Sequence, residues 1–397
     1  FIYCTLDLLG NYMDELKAIV VIGSTGSVGE QALDVIRSMP ERFKAVALAA
    51  GSNHKRLEEQ TKQFQPKVIS LASGLPITTT IEKNKYRPLE EIVVRDDVDI
   101  VLAASSGLDG LPAILAALRA GKKVALANKE ALVVGGPIVR EALEFGEPYG
   151  AELRPVDSEH SAIWQCIWGE SIDQVEQLTL TASGGAFRNF SITELDNVTP
   201  TEALKHPTWQ MGPKVTIDSA TLFNKGLEAL EARWLFDLPL EKIDILQHRE
   251  SVIHSMVTFI DGSVKAQLGV PDMRLPIQIA LSYPDRLPQQ PAPKLDLAKY
   301  ESLNFSKVDS AKFPALEITL EAGKREDTTA AALSGADEAA VTHFLNGQCR
   351  FTDIAKLLHK VMQQHEPQKN PNLEALLTAE KWGRNFVTEI LKNGEKI

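Results

Sequence analysis

Lys17-Ala18-Ile19-Val20-Val21-Ile22-Gly23-Ser24-Thr25-Gly26-Ser27-Val28-Gly29-Glu30 is the stretch whose reading decides the fold. Ala18 to Ile22 is a continuous apolar run, the mark of a strand buried on both faces. It leads directly into glycines spaced Gly-x-x-Gly-x-x-Gly at Gly23, Gly26 and Gly29, and a helical stretch follows from Glu30 to Met39. Buried strand, glycine turn and helix, in that order, open a parallel dinucleotide-binding sheet. The backbone N–H groups of Thr25, Gly26, Ser27 and Val28 would then meet a pyrophosphate at the helix N-terminus. The spacing is not the strict GxGxxG, and glycines at such a junction also serve packing alone.

Working outward, the same rhythm repeats. A strand at Ala45–Ala50 precedes a polar helix from about Lys55, followed by strands at Val68–Leu71 and Ile100–Ala104, a helix at Leu111–Ala120 and a strand at Lys123–Ala127. Alternation of this kind predicts a doubly wound parallel sheet. Beyond about residue 150, strands at Gln177–Thr181, Ile243–Gln247 and Ser263–Leu268 are separated by motif-dense loops and one long helix, which predicts an α+β unit. Pro288 to Pro293 reads as a linker. The tail from about Phe313 is helical and rich in Ala, Leu and Glu.

Composition narrows the class. The chain has 397 residues, 44% of them hydrophobic, and a formal net charge of -11. That balance suits a globular protein with real cores and argues against a nucleic-acid or anionic-membrane surface. No apolar run approaches the roughly 20 residues of a membrane span. Cys4, Cys166 and Cys349 are scattered, without CxxC spacing, which fits a reducing compartment such as the cytoplasm. Phe1 to Gly10 makes a poor signal peptide, and Met13 could be the true start.

The region after the second strand, Gly51-Ser52-Asn53-His54-Lys55-Arg56, bears on the cofactor. An NAD enzyme places an acid there for the ribose 2′-OH. Here there is none, and hydroxyl, amide and basic groups favour a 2′-phosphate, hence NADP. Lys55 and Arg56 also read as a solvated helix start.

A second group of residues speaks of a metal and of anions. Asp157 and Glu159 lie two apart and, on an extended segment, would face the same way. Asn224 and Glu228 share a helical face, with Lys225 beside them. Oxygen-only donors suit Mg²⁺ or Mn²⁺. Thr181-Ala182-Ser183-Gly184-Gly185 reads as an anion-wrapping loop or simply a tight turn. Asp218-Ser219-Ala220-Thr221 leads into the Asn224 helix, with Ser219 open to a role at an anion site or as an N-cap. His206-Pro207-Thr208-Trp209-Gln210-Met211-Gly212 reads as a covering loop, or as one anchored to the core by its Trp. Asn128, Lys129 and Glu130 stand where a strand of the first sheet ends, on the edge where ligands bind; a buried Lys–Glu pair is the plainer reading.

Together these residues resemble the 1-deoxy-D-xylulose 5-phosphate reductoisomerase family. The matching stretches are Gly23–Gly29, Leu126–Val133, Pro155–Gln165, Leu180–Phe187, His206–Glu231 and Ile253–Leu281. The resemblance implies an α/β enzyme with an N-terminal Rossmann-like doubly wound sheet, a central α+β catalytic domain and a C-terminal helical domain. The implied division is an NADPH-binding unit at 17–154, a catalytic and dimerising unit at 155–287 with a flap at 201–212, a linker at 288–305 and a helical unit at 306–397. It implies Asp157, Glu159 and Glu228 as metal ligands, with Lys129 and His206 also catalytic. Ser158, Ser183, His206, Trp209, Met211, Ser219, Asn224 and Lys225 would meet a small sugar phosphate. Thr25, Gly26, Ser27, Val28, Gly51, Asn53, Asn128, Glu130 and Gly212 would face NADPH. A homodimer is implied, in the bacterial cytoplasm or the plastid stroma. Arg249-Glu250 departs from the family's frequent Pro-Gln, and Leu333-Ser334-Gly335-Ala336-Asp337-Glu338 from its usual Leu-Asn-Ala-Ala-Asn-Glu. The rival enzyme reading is a semialdehyde or phosphorylated-aldehyde dehydrogenase, whose phosphorylating versions would need a nucleophilic cysteine. A non-catalytic NADPH sensor is the reading of another class, without need of three converging acids.

Overall fold

A computed structural model describes residues 16–74, 82, 85–209, 211–288, 291–394 and 397. The readings made on Phe1–Gly10, Met13, Cys4 and Gln210, and on positions 289 and 290 of the linker, lie outside the described residues.

The first sheet is built as the alternation predicts. Strands β1 (Lys17–Ile22), β2 (Phe43–Ala50), β3 (Val68–Leu71), β4 (Ile100–Ala103), β5 (Lys123–Leu126) and β6 (Glu152–Pro155) lie in the order β3-β2-β1-β4-β5-β6. Every neighbouring pair is parallel. Ile19, Val20 and Val21 are fully buried, each side chain contributing on the order of 1.5–3 kcal/mol by leaving water. Helices α1 (Ser27–Ser38), α2 (His54–Phe64), α3 (Leu89–Val93), α4 (Leu111–Arg119) and α5 (Lys129–Gly146) supply the crossovers. The strand order reverses between β1 and β4, which opens a crevice at their carboxyl ends, where the glycine turn sits.

After β6 come α6 (Ser158–Cys166), β7 (Val175–Ala182), the short helices α7 (Ile192–Leu195) and α8 (Pro200–Ala203), then α9 (Pro213–Thr221) and α10 (Phe223–Phe236). Strands β8 (Ile243–His248), β9 (Ile253–Phe259) and β10 (Val264–Leu268) precede α11 (Arg274–Ser282). The second sheet runs β10-β9-β7-β8-β11, where β11 is Phe305–Lys307. Only β7 and β8 pair in parallel. The segment read as a linker thus ends in a strand on β8; three edge residues are too few to show a period of two.

The tail folds into α12 (Pro314–Lys324), α13 (Thr329–Leu345), α14 (Phe351–Gln364) and α15 (Leu373–Lys392). Its core is continuous with α9 and α10: Ile217 of α9 and Phe223, Leu227 and Leu230 of α10 share a buried cluster with Leu333, Phe344 and Leu357. Conversely, Ile277, Ala280 and Leu281 of α11 pack against the first sheet. No described helix is long and apolar enough to cross a membrane.

Candidate active site

The glycine turn is held by contact as well as by conformation. A Cβ on Gly29 would stand 2.2 Å from the carbonyl oxygen of Gly23, so α1 approaches β1 more closely than any side chain permits. The N–H of Gly26 donates to Gly23 within the turn and is therefore spent, whereas it had been read as free for a pyrophosphate. Gly26, Ser27 and Val28 line a cavity of about 1000 Å³. Thr25, Gly51, Asn53, Asn128 and Glu130 are not in its wall. Asn53 caps α2 by accepting from the N–H of Arg56, whose guanidinium forks onto Glu30 of α1. Asn128 is buried; it caps α5 and donates to Ser105 Oγ and the Gly107 carbonyl.

The same cavity gathers the acids. Asp157 and Glu159 do not sit on an extended segment, as spacing alone suggested. Asp157 is the N-cap of α6 and accepts from the N–H of Ser158, while Glu159 lies in the first helical turn. An Asp followed by Ser and Glu favours exactly that cap chemistry over continued strand once β6 ends at Pro155. Glu228, one turn into α10, meets them: one oxygen from each of Asp157, Glu159 and Glu228 lies within 4.8 Å of the others.

Two lysines thread this triad. Lys225 Nζ donates to Glu159 Oε1 at 2.7 Å, to Glu228 Oε2 at 2.5 Å and to the Thr181 carbonyl at 2.6 Å. Lys129 Nζ donates to Asn224 Oδ1 at 2.7 Å and lies 2.8 Å from Asp157 Oδ2, an ion contact without hydrogen-bond alignment. Burial opposes ionisation of all of them, and the pairing decides the outcome. Asp157 is pulled down to about 2 by Lys129, His160 and Lys225 against its burial. Glu228 is pushed up to about 7 by burial and by facing Glu159. Lys129 and Lys225 are raised by their carboxylates, again against burial. A proton held on Glu228 near neutrality marks an excess of negative charge, which a dication relieves. The donors are carboxylate oxygens only, so the set fits Mg²⁺ or Mn²⁺.

The residues read as anion-binding line the same cavity as the acids. Ser183 follows β7, and Gly184 and Gly185 both adopt left-handed φ, +82° and +64°. A Cβ on Gly185 would lie 2.6 Å from the carbonyl of Ser219, so this loop presses directly onto α9. Asp218 to Thr221 is the last turn of α9 and not a loop, and Ser219 is no N-cap. The chain breaks at Leu222, φ +61°, so Ser219 ending α9 and Asn224 starting α10 look into the same cavity. The periodicity missed this junction because the two helices abut with one residue between them.

His206 Nδ1 accepts from the N–H groups of Thr208 and Trp209, so Nε2 carries the proton and donates to Ser183 Oγ at 2.9 Å. Burial, with Arg188 nearby, lowers His206 to about 4 and keeps it neutral. Trp209 lies 6.0 Å from the ring of His254, and Met211 and Gly212 complete that wall. Ser158, Ser183, Ser219, Asn224, Lys225 and Lys129 all line the cavity. Ser251, His254, Asp272, Met273, Arg274 and Lys214 line it too and had not been singled out as site residues. Single residues spread over a strand end, a loop and a helix carry no local spacing to reveal them.

Comparison with known proteins follows the same division. Residues 19–136 match the family model described as 1-deoxy-D-xylulose 5-phosphate reductoisomerase, and 153–236 that of its C-terminal domain. Residues 268–386 match a DXP reductoisomerase C-terminal domain, so the likeness continues through the tail. The 1-deoxy-D-xylulose 5-phosphate reductoisomerase of Pelotomaculum thermopropionicum is 45% identical over 388 residues, covering 95% of this chain and 99% of that one. The Bacillus anthracis reductoisomerase 1 is 46% identical over 384 residues, with 95% and 99% covered. The Zymomonas mobilis reductoisomerase solved with NADPH superposes with a TM-score of 0.86 at 38% identity, covering 95% of this chain and 100% of that one. A DOX-P reductoisomerase in complex with NADPH, fosmidomycin and magnesium gives a TM-score of 0.84 at 36% identity, covering 95% and 98%.

Proposed function

This chain belongs to the 1-deoxy-D-xylulose 5-phosphate reductoisomerase family, and from that membership and its cavity we infer what it does and which residues do it. It is an NADPH- and divalent-metal-dependent oxidoreductase that rearranges 1-deoxy-D-xylulose 5-phosphate and reduces the product to 2-C-methyl-D-erythritol 4-phosphate. The observation that carries the reading is one cavity lined both by the glycine turn and by a lysine-threaded carboxylate triad.

Asp157, Glu159 and Glu228 would hold the metal. NADPH supplies the hydride, and the metal supplies a positive charge that steadies the substrate's ketone and hydroxyl oxygens. Lys129, fixed between Asn224 and Asp157, would bind a substrate oxygen and balance negative charge as the carbon skeleton breaks and rejoins. Ser183, Ser219, Asn224 and Lys225 would take the phosphate, with His206 orienting Ser183. Ser158 would meet the sugar. Trp209 and Met211, on the flap at 201–212, would exclude water while the two fragments are held for rejoining. Gly26, Ser27 and Val28 would face NADPH, with Thr25, Gly51, Asn53, Asn128, Glu130 and Gly212 supporting its pocket. The units at 17–154, 155–287 and 306–397, with 288–305 between, would act as cofactor, catalytic and helical supporting parts.

The cysteine-dependent rival finds no support. Cys166 is buried and burial pushes its thiol up to about 11, leaving it inert near neutrality. The functional test follows NADPH absorbance with 1-deoxy-D-xylulose 5-phosphate, with Mg²⁺ present and then chelated. Oxidation that stops on chelation and resumes with metal is expected. Folded protein that binds NADPH yet oxidises none under any metal would overturn the reading. A homodimer in the bacterial cytoplasm is the proposed setting, with the exposed strand β10 available for pairing.

A further inference from the structure

One charged group in the cavity wall is not used above. Lys214 is the second residue of α9, just past the flap's last residue, Gly212. Its ammonium lies 2.6 Å from Asp218 Oδ2, 2.9 Å from Asp337 Oδ2 of α13, and 3.9 Å from Glu130 Oε1 of α5. Asp218 and Asp337 are buried, at 2% and 0% exposure, and neither Asp218 Oδ1 nor Asp337 Oδ1 has a hydrogen-bond donor among the described residues. Three structural units therefore meet on one lysine.

Resting on the reductoisomerase reading, we propose that Lys214, clasped between Asp218 and Asp337, is a positioning residue for substrate capture: it ties α9 to α13 and so sets where the flap ends and where Ser219 stands. The geometry makes α9 a lever. Gly212 caps it without a side chain and has open space around it, so the flap's end is not held at that residue. The first hold is Lys214, and Ser219 sits one residue beyond Asp218 on the same nine-residue helix. Removing Asp337 would leave Lys214 its partner Asp218 one turn away, so the helix would persist while its tie to α13 is lost.

Two carboxyls facing each other across one ammonium cannot both ionise freely. Burial raises both Asp218 and Asp337, Asp218 the further because Asp337 faces it, so a proton stays with the pair. The tie is accordingly strongest at low pH and loosens as pH rises through the pair's raised range. The charges facing the pair are Lys214 and Glu130. Lys129, also on α5, turns to Asp157. On the helices packed against α13, Asp353 of α14 turns to Arg350 and Lys356, and Glu321 of α12 to Arg325. Glu338 of α13 itself and Glu380 of α15 both turn to Arg384. Glu231 of α10 lies beyond Glu130.

The test compares wild type, Asp337→Asn and Asp337→Ala in the full-length protein with saturating NADPH and Mg²⁺. Asp337→Ala is expected to raise KM for 1-deoxy-D-xylulose 5-phosphate about tenfold while kcat changes less than about threefold and NADPH affinity holds. Asp337→Asn, which mimics the protonated carboxyl, is expected to match wild type at the low-pH end of the assay range; as pH rises through the pair's raised range the wild-type KM rises relative to it. Independently of turnover, amide exchange in residues 214–221 should quicken at least about fivefold in Asp337→Ala and stay near wild type in Asp337→Asn. Unchanged exchange in folded Asp337→Ala overturns the proposal whatever the substrate proves to be. If Asp337→Ala does not fold, a wild-type to Asp337→Asn KM ratio that is flat with pH overturns it.

Discussion

Glu228 is the residue on which chemistry and electrostatics meet. Its carboxyl sits up at about 7 because it is buried and faces Glu159. Metal binding needs that carboxylate ionised, so apparent metal affinity should be nearly flat above pH 7 and fall about tenfold by pH 6. Mn²⁺ titration at both pH values checks this, and an affinity unchanged at pH 6 would separate Glu228 from the metal. Glu228→Gln should cut turnover by roughly 100-fold or more. NADPH binding, measured by its fluorescence, should survive, since Glu228 is held by Asn224, Lys225 and Lys129 and not by the glycine turn. Cys166 behaves in the opposite sense. With its thiol near 11, iodoacetamide at neutral pH should leave activity intact while chelators abolish it.

At the scale of elements, the turn between β1 and α1 separates packing from recognition. Gly29→Ala would drive a Cβ into the Gly23 carbonyl, and a cost of about 1–3 kcal/mol is expected in thermal or denaturant unfolding. Gly26 is exposed at the cavity and its Cβ would meet only Gly23 O at 3.3 Å, so Gly26→Ala should weaken NADPH binding with little loss of stability. Equal destabilisation by both would reduce the turn to a packing device. The flap makes a different prediction. Trp209 touches the site through His254 and the cavity wall, so Trp209→Ala should raise substrate KM about tenfold, with unfolding little changed. A large drop in melting temperature instead would make Trp209 a core anchor.

At the scale of the molecule, the helical tail is a support for the site. Phe223, Leu227 and Leu230, on the helix that presents Asn224, Lys225 and Glu228, are buried in one cluster with α13 and α14. The tail therefore stiffens the acid-bearing helix by packing, and mutations in α13 should change kinetics without touching substrate. A homodimer would elute and sediment at roughly twice the 43.6 kDa of the chain, and a species at one chain mass under assay conditions would remove dimerisation from the reading.

Much of this was legible in the chain itself. A buried parallel strand must read as an unbroken apolar run, and a glycine turn between the first such strand and a helix favours a cofactor role over packing alone, so β1 to β5 and the candidate cofactor turn follow from local pattern. The candidate acids and serines were legible as residues, because carboxylates, hydroxyls and a lysine recur in short dense motifs. Their arrangement was not. Asp157 and Glu159 sit on a helix start because β6 ends where it does, and Ser219 lies in the last turn of α9 because Leu222 turns left-handed between α9 and α10. Lys214 meets Asp337 across 123 residues of chain, by the difference of their numbers. Local propensity acts over a turn or two of backbone. Which distant carboxyl shares a lysine, and which of them keeps its proton, is settled only when the helices pack and water is excluded.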